Sequence, residues 1–154
     1  VGYTRGLEAF RTPLEHSLAA FAAHGARHDR LGAWQPTRIA NLLETDLRDL
    51  GIEAMPSDAV VHIDDLAWAL GAHYVLEGSA LGARVLMPAA RTLGFDAHHG
   101  ARHLDKQAST LENFRAFMEL LEGIEDLDME QTAAGANAAF QSAARAMERS
   151  FAHA

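Results

Sequence analysis

The chain has 154 residues, 49% of them apolar and 22% charged, which fits one globular domain with its own core and argues against intrinsic disorder. It has no cysteine, so disulfides, thiolate metal sites and cysteine nucleophiles are excluded. A net charge of −8 disfavours nucleic acid as a partner, and no apolar run is long enough to make a membrane one.

Abundant alanine, few β-branched residues and no alternating patterns predict an all-α fold. The first helix is expected over 3–24. Leu7, Phe10, Leu14, Leu18 and Phe21 recur there at steps of three and four. Pro13 removes one backbone donor, so a kink or restart is expected, and Gly25 ends the segment. A second helix over 36–50 buries Ile39, Leu42, Leu43, Leu47 and Leu50. Pro36 suits its first turn and Gly51 its C-terminal cap. Residues 52–61, with Pro56, read as a connection.

The third helix is expected over 64–92. Asp64 and Asp65 suit its N-terminus, where carboxylates meet free amides. A glycine- and histidine-rich connection follows, and then a capping box from Ser109 to Glu112. The helix after it buries Leu111, Phe114, Phe117, Met118 and Leu121. Asp128 and Gln131 open the last helix, whose apolar face reads Ala133, Ala136, Phe140, Ala144, Met147, Phe151. The sum is a bundle of five or six helices in a single domain over 1–154.

The third helix carries three interior glycines, Gly71, Gly78 and Gly82, each costing about 1 kcal/mol relative to alanine. Gly78 and Gly82 are one turn apart and share a face without Cβ atoms, so another object can approach the backbone there. Spacing alone leaves two readings open, a closely packed helix or a flat ligand.

The run Tyr74-Val75-Leu76-Glu77-Gly78-Ser79-Ala80-Leu81-Gly82 resembles the distal-helix motif of bacterial biliverdin-producing haem oxygenases. Pro13-Leu14-Glu15 with Leu18 is similar to the family's early Pro-Leu-Glu helix. Arg38, Leu42, Asp46, Leu47 and Leu50-Gly51 follow in family order. So do Gly100-Ala101-Arg102-His103-Leu104, Phe114, Phe117 and Phe140.

The resemblance implies a haem oxygenase-like helical bundle with a glycine-kinked distal helix. It implies haem as both substrate and cofactor, O2, and an external electron donor of the reductase or ferredoxin type. The products would be biliverdin, CO and iron, with a bacteriophytochrome as a conceivable biliverdin acceptor, in the cytoplasm. The protein would bind and steer while the cofactor does the chemistry. Carried over, Gly78 and Gly82 would be close-approach glycines, and Ser79 would sit on the distal face near dioxygen and its waters; these three are the expected catalytic positions. Tyr74 would meet a propionate, and Ala83 stands where many relatives have glycine; both join Gly78, Ser79 and Gly82 as cofactor-binding candidates. The family's proximal histidine sits upstream of the region resembling 3–21. The expectation is therefore that this chain, which begins at Val1, lacks that helix and binds haem weakly, and no metal ligand is assigned.

Other clusters weigh less. His24 and His28 are i, i+4 but lack an acidic partner, and His98, His99 and His103 fall in a connection; all read as solvated imidazoles. His16 reads as an exposed helix residue, and His73 only adjoins the motif. A di-iron site fails because Glu77 has no partner at Ala80 or Leu81. Arg91, Arg102, Lys106 and Arg145 are the basic residues considered for propionates. Two functions remain: a haem oxygenase, or a non-catalytic binding or regulatory relative that has lost its iron ligand.

Overall fold

The computed structural model describes residues 1–24, 34–57 and 61–152. Gly25 and His28 lie outside the described residues. Six α-helices are formed among the described residues: α1 Gly2–His24, α2 Ala40–Asp49, α3 Leu66–Thr92, α4 Arg102–Ala108, α5 Leu111–Glu122 and α6 Met129–Ala152. The all-α expectation holds, with α4 emerging from what the sequence presents as a connection.

α1 runs through Pro13 without a restart. Leu7, Phe10, Leu14 and Leu18 of the predicted stripe on α1 are buried and join Ile39, Leu43, Ile63, Ala69, Ala72, Leu76, Ala139 and Ala146 in the main core, with Phe21 partly buried against it. Phe10 and Leu14 flank Pro13 within that core, so packing on both sides holds the helix across the missing donor.

α2 starts at Ala40, four residues after Pro36, because another helix supplies its cap. The Glu15 carboxylate of α1 accepts from the Ile39 amide at 3.1 Å and from the Ala40 amide at 3.1 Å. That satisfies donors a helix start leaves free. At the other end Gly51 takes φ +64°, and the Ile52 amide returns to the Leu47 carbonyl, so the expected glycine cap is formed.

α3 is one helix across Gly71, Gly78, Gly82 and Pro88. Asp65 caps it, accepting from the Trp68 amide at 2.8 Å. The Ser109 capping box is not formed: Ser109 Oγ donates to the Lys106 carbonyl and closes α4, and α5 starts after Thr110. The Asp128 cap is formed, accepting from the Glu130 and Gln131 amides at 3.0 Å each.

α3 packs most extensively on α6, and α1 packs on α6 as well. The buried face of α6 is Gly135, Ala139, Ala146 and Ser150, not the predicted stripe, whose Phe140 and Phe151 are exposed. The reason is backbone proximity. A Cβ on Gly71 would lie 1.8 Å from the Thr132 carbonyl oxygen, and one on Gly135 would lie 2.0 Å from that of Trp68. Only the small-residue face of α6 can come that close to α3.

Candidate functional site

Gly71, Gly78 and Gly82 lie two and three turns apart and fall on one side of α3. They are used differently. Gly71 is closed by α6, as described. A Cβ on Gly78 would meet only the Phe114 ring, at 3.7 Å, and one on Gly82 would meet nothing within 4 Å. Helix packing therefore accounts for Gly71, leaves Gly82 facing open space, and leaves Gly78 with room for a Cβ beside the Phe114 ring.

That open strip is apolar. Tyr74, Leu81 and Val85 stand on it at 40%, 51% and 76% exposure. The spacing 74, 78, 81, 85 is one continuous stripe along the helix. Phe114 of α5 borders it, its ring 6.2 Å from that of Tyr74. An apolar stripe without Cβ atoms at two turns suits a flat, largely apolar object. No histidine occurs within residues 74–85.

The other residues of the motif hold the strip in place. Glu77 is 1% exposed and turns away from solvent. Its carboxylate accepts from the Thr37 amide and hydroxyl, each at 2.7 Å, and from Asn113 Nδ2 at 3.0 Å. It thereby ties segment 35–37 and α5 to α3. Ser79 Oγ accepts from Arg11 Nη1 at 3.0 Å and from Gln107 Nε2, and it donates to the Leu76 carbonyl. Ala83 is 2% exposed and packs with Met87, Ala101 and Leu104. Of the five sequence-predicted residues, Tyr74, Gly78 and Gly82 share the open strip; Ser79 and Ala83 flank it on the packed side.

Arg11 is the residue that sequence reading missed. It is 0% exposed. Its Nε donates to Glu15 at 2.6 Å, Nη1 to the Leu76 carbonyl at 3.1 Å, and Nη2 to the Thr37 carbonyl at 2.9 Å. One cation thus pins α1, the segment before α2 and α3 together. The signal was present: Arg11 and Glu15 interrupt the stripe Leu7, Phe10, Leu14, Leu18 as an i, i+4 charge pair.

A second buried polar group joins α2 to α4. The Asp46 carboxylate, 0% exposed, accepts from the His103 backbone at 3.0 Å and from its Nδ1 at 2.7 Å, and from Arg102 at 3.1 Å. Burial pushes its pKa up, but those His103 and Arg102 hydrogen bonds outweigh it and hold the carboxyl below its ordinary value.

The remaining sequence candidates separate from the strip. Arg102 is engaged by Asp46 and Asp49, Arg91 lies 3.6 Å from Asp105, and His98 and His99 are turned by Asp96 through their amides. Lys106 lines a small groove with Arg38, Ser109, Thr110 and Asn113. His24 Nδ1 bonds the Ala20 carbonyl at 2.7 Å, and His16 is exposed. Arg145 makes its own contacts.

A cavity of about 1120 Å³ lies on another face of α3, between α1 and residues 34–38 and 61–64. His73 lines it, with its ring 5.0 Å from that of Trp34. Burial, with Arg11 and Arg38 adding repulsion, lowers the His73 pKa to about 3, so the ring is neutral.

No family model matches the chain. It is 39% identical over 112 residues to Heme oxygenase PigA of Pseudomonas aeruginosa, a match covering 70% of this chain. The chain spans 57% of the length of that curated relative. Among solved structures it superposes on the NO- and CO-bound heme oxygenase from Neisseria meningitidis with a TM-score of 0.76 and 24% identity. That superposition covers 98% of this chain and 75% of the other, so the two share their all-helical fold.

Proposed function

We propose, for a chain that is a relative of the bacterial haem oxygenases and has their fold, that the Gly78–Gly82 strip takes haem and that the activity is haem cleavage to biliverdin, CO and iron. The single observation that carries this is a pair of helical glycines that no helix backbone closes. Gly82 has nothing within 4 Å of its absent Cβ, although each helical glycine costs about 1 kcal/mol. Haem, when bound, supplies the iron chemistry with O2, and electrons come from an external donor of the reductase or ferredoxin type.

This chain's own residues would act on the macrocycle by placement. Gly78 and Gly82 let the α3 backbone approach a flat face. Leu81 and Val85 provide apolar contact and exclude water, and Phe114 closes one edge. Tyr74 offers a hydroxyl to a carboxylate at the rim. Glu77 and Arg11 fix α3 against α1 and segment 35–37, so the strip is held on a rigid element. Ser79 presents no free proton to the strip, because its hydroxyl already donates to the Leu76 carbonyl. The Ala83 methyl supports the same turn from the packed side. A cytoplasmic setting and a bacteriophytochrome as acceptor of the product belong to this proposal.

The test is a haem titration followed by O2 and reductant. A Soret shift, then biliverdin and CO release, supports the reading, and Gly82→Leu abolishes both. Haem binding with no turnover points to a non-catalytic haem-binding relative, since residues 74–85 carry no histidine. Binding that Gly82→Leu leaves unchanged overturns the site.

A further inference from the structure

The cavity of about 1120 Å³ beside α3 is separate from the glycine strip. Its α3 wall is Leu66, Ala69, Leu70, His73 and Leu76, whereas the strip runs along Tyr74, Gly78, Leu81 and Val85. At about 100° per residue the two faces lie roughly a third of a turn apart. Leu18 and Phe21 of α1 and Ile63 complete the apolar lining. A concave space of this size with apolar walls suits the body of a small molecule.

The polar groups of the lining call for an acceptor. Arg38 is the only arginine or lysine among the described residues that line the cavity. It is exposed, and no ion pair among the described residues engages it. Trp34, four residues earlier, is 5% exposed, and its Nε1 is a buried donor with no acceptor among the described residues. Arginine and the indole N–H only donate, so both seek the oxygen of something else. Burial first, and then the charges of Arg11 and Arg38, keep the proton off His73, whose ring touches that of Trp34. Glu15 balances the Arg11 charge, and the Arg38 charge is left to act. A field that repels a proton favours an anion. Of the two carboxylates on the lining, Glu15 is taken by Arg11 and the start of α2, and Asp64 is exposed. The remaining titratable lining groups, His16, His24 and His62, are exposed and carry no negative charge.

We propose that this cavity is a second ligand site, for an amphipathic monocarboxylate whose apolar body lies between α1 and α3 and whose carboxylate pairs with Arg38 and accepts from Trp34 Nε1. A carboxylate offers both the charge and the acceptor oxygens that these two groups lack. Trp34 Nε1 is sealed in the ligand-free protein, so the indole turns on binding, and that motion supplies the signal. The site does not depend on the haem reading.

The experiment titrates the protein without haem with dodecanoate, below its micellar concentration, and follows the two indole N–H resonances by 15N NMR. Trp34→Phe identifies the Trp34 resonance. Expected is saturable binding of one dodecanoate, with the Trp34 Nε1–H proton moving downfield. Dodecanol, which has the same chain without the charge, binds about fivefold or more weakly, and Arg38→Gln brings dodecanoate to the level of dodecanol. Ala19→Phe, which places a ring in the cavity, weakens both. Arg48→Gln, on the exposed side of α2, changes neither. Absence of saturable binding, a Trp34 resonance that stays in place, equal affinity for dodecanoate and dodecanol, or an Arg38→Gln variant that binds like wild type overturns the proposal. So does loss of dodecanoate binding in Gly82→Leu, which would put the ligand on the strip. The wild-type titrations decide the matter even where a variant fails to fold. Failure of haem to bind would refute the haem reading and leave these signals untouched.

Discussion

Arg11 of α1 and Ser79 of α3 meet at 3.0 Å in the interior, between a fully buried guanidinium and the serine of the glycine motif. Two helices far apart in sequence are thereby locked at the turn that bears Gly78. The same guanidinium is paired with Glu15, which is 7% exposed and caps α2.

Arg11→Met therefore leaves a buried carboxylate without its cation. The expected loss is about 3–5 kcal/mol of unfolding free energy, read by urea titration. Adding Glu15→Gln removes the orphaned charge and should recover part of that loss. Equal stability of the single variant and wild type would show that the pair does not hold α1 on α3.

Alanine substitutions at the glycines of α3 should have opposite signs. Gly71→Ala drives a methyl to 1.8 Å from the Thr132 carbonyl, so α6 must shift, costing at least about 1–3 kcal/mol. Gly82→Ala meets nothing within 4 Å and gains helix propensity, raising stability by roughly 0.5–1 kcal/mol. On the proposed reading the same Gly82→Ala weakens haem binding. Thermal unfolding and a haem titration of both variants give the comparison.

His73 should make the fold sensitive to mild acid. Its folded pKa of about 3 lies below the ordinary value of 6.5. The unfolded chain thus takes up a proton first as pH falls. Stability is complete above 6.5 and is lost from there down toward 3, with a slope approaching about 1.4 kcal/mol per pH unit. Asp46, whose carboxyl is held below its ordinary 3.8, loses its contribution only at lower pH. His73→Leu should flatten urea-derived stability between pH 6.5 and 4.5 by one proton's worth; an unchanged slope would contradict the burial of the ring.

Glu77 should matter to segment 35–37 rather than to chemistry. Glu77→Gln weakens the bonds from the Thr37 amide and hydroxyl, at about 1.5–3 kcal/mol for charge-assisted bonds. Faster hydrogen exchange at the Thr37 amide is the expected readout, with helical content unchanged.

The sequence by itself determined the helices other than α4, and the motif. Alanine content and the 3.6-residue stripes of Leu7, Phe10, Leu14 and Leu18 are local properties, and so are the Asp65 and Asp128 caps and the turn at Gly51. The tertiary structure decided what the motif's residues do. Gly71, Gly78 and Gly82 look alike in sequence, yet only α6 crosses at Gly71, because Gly135 lets its backbone within reach. Phe140 and Phe151 looked like core because their period is right, but close backbone approach selected the smaller face of α6. The start of α2 moved to Ala40 because its cap is Glu15, on another helix. Ser79, a site candidate in the sequence, is bound on its packed side by Arg11 and Gln107, and the roles of Arg11, Glu77, His103 and Gln107 exist only where distant segments meet. Burial and hydrogen-bond partners exist only between segments, and no local pattern encodes which segments come together.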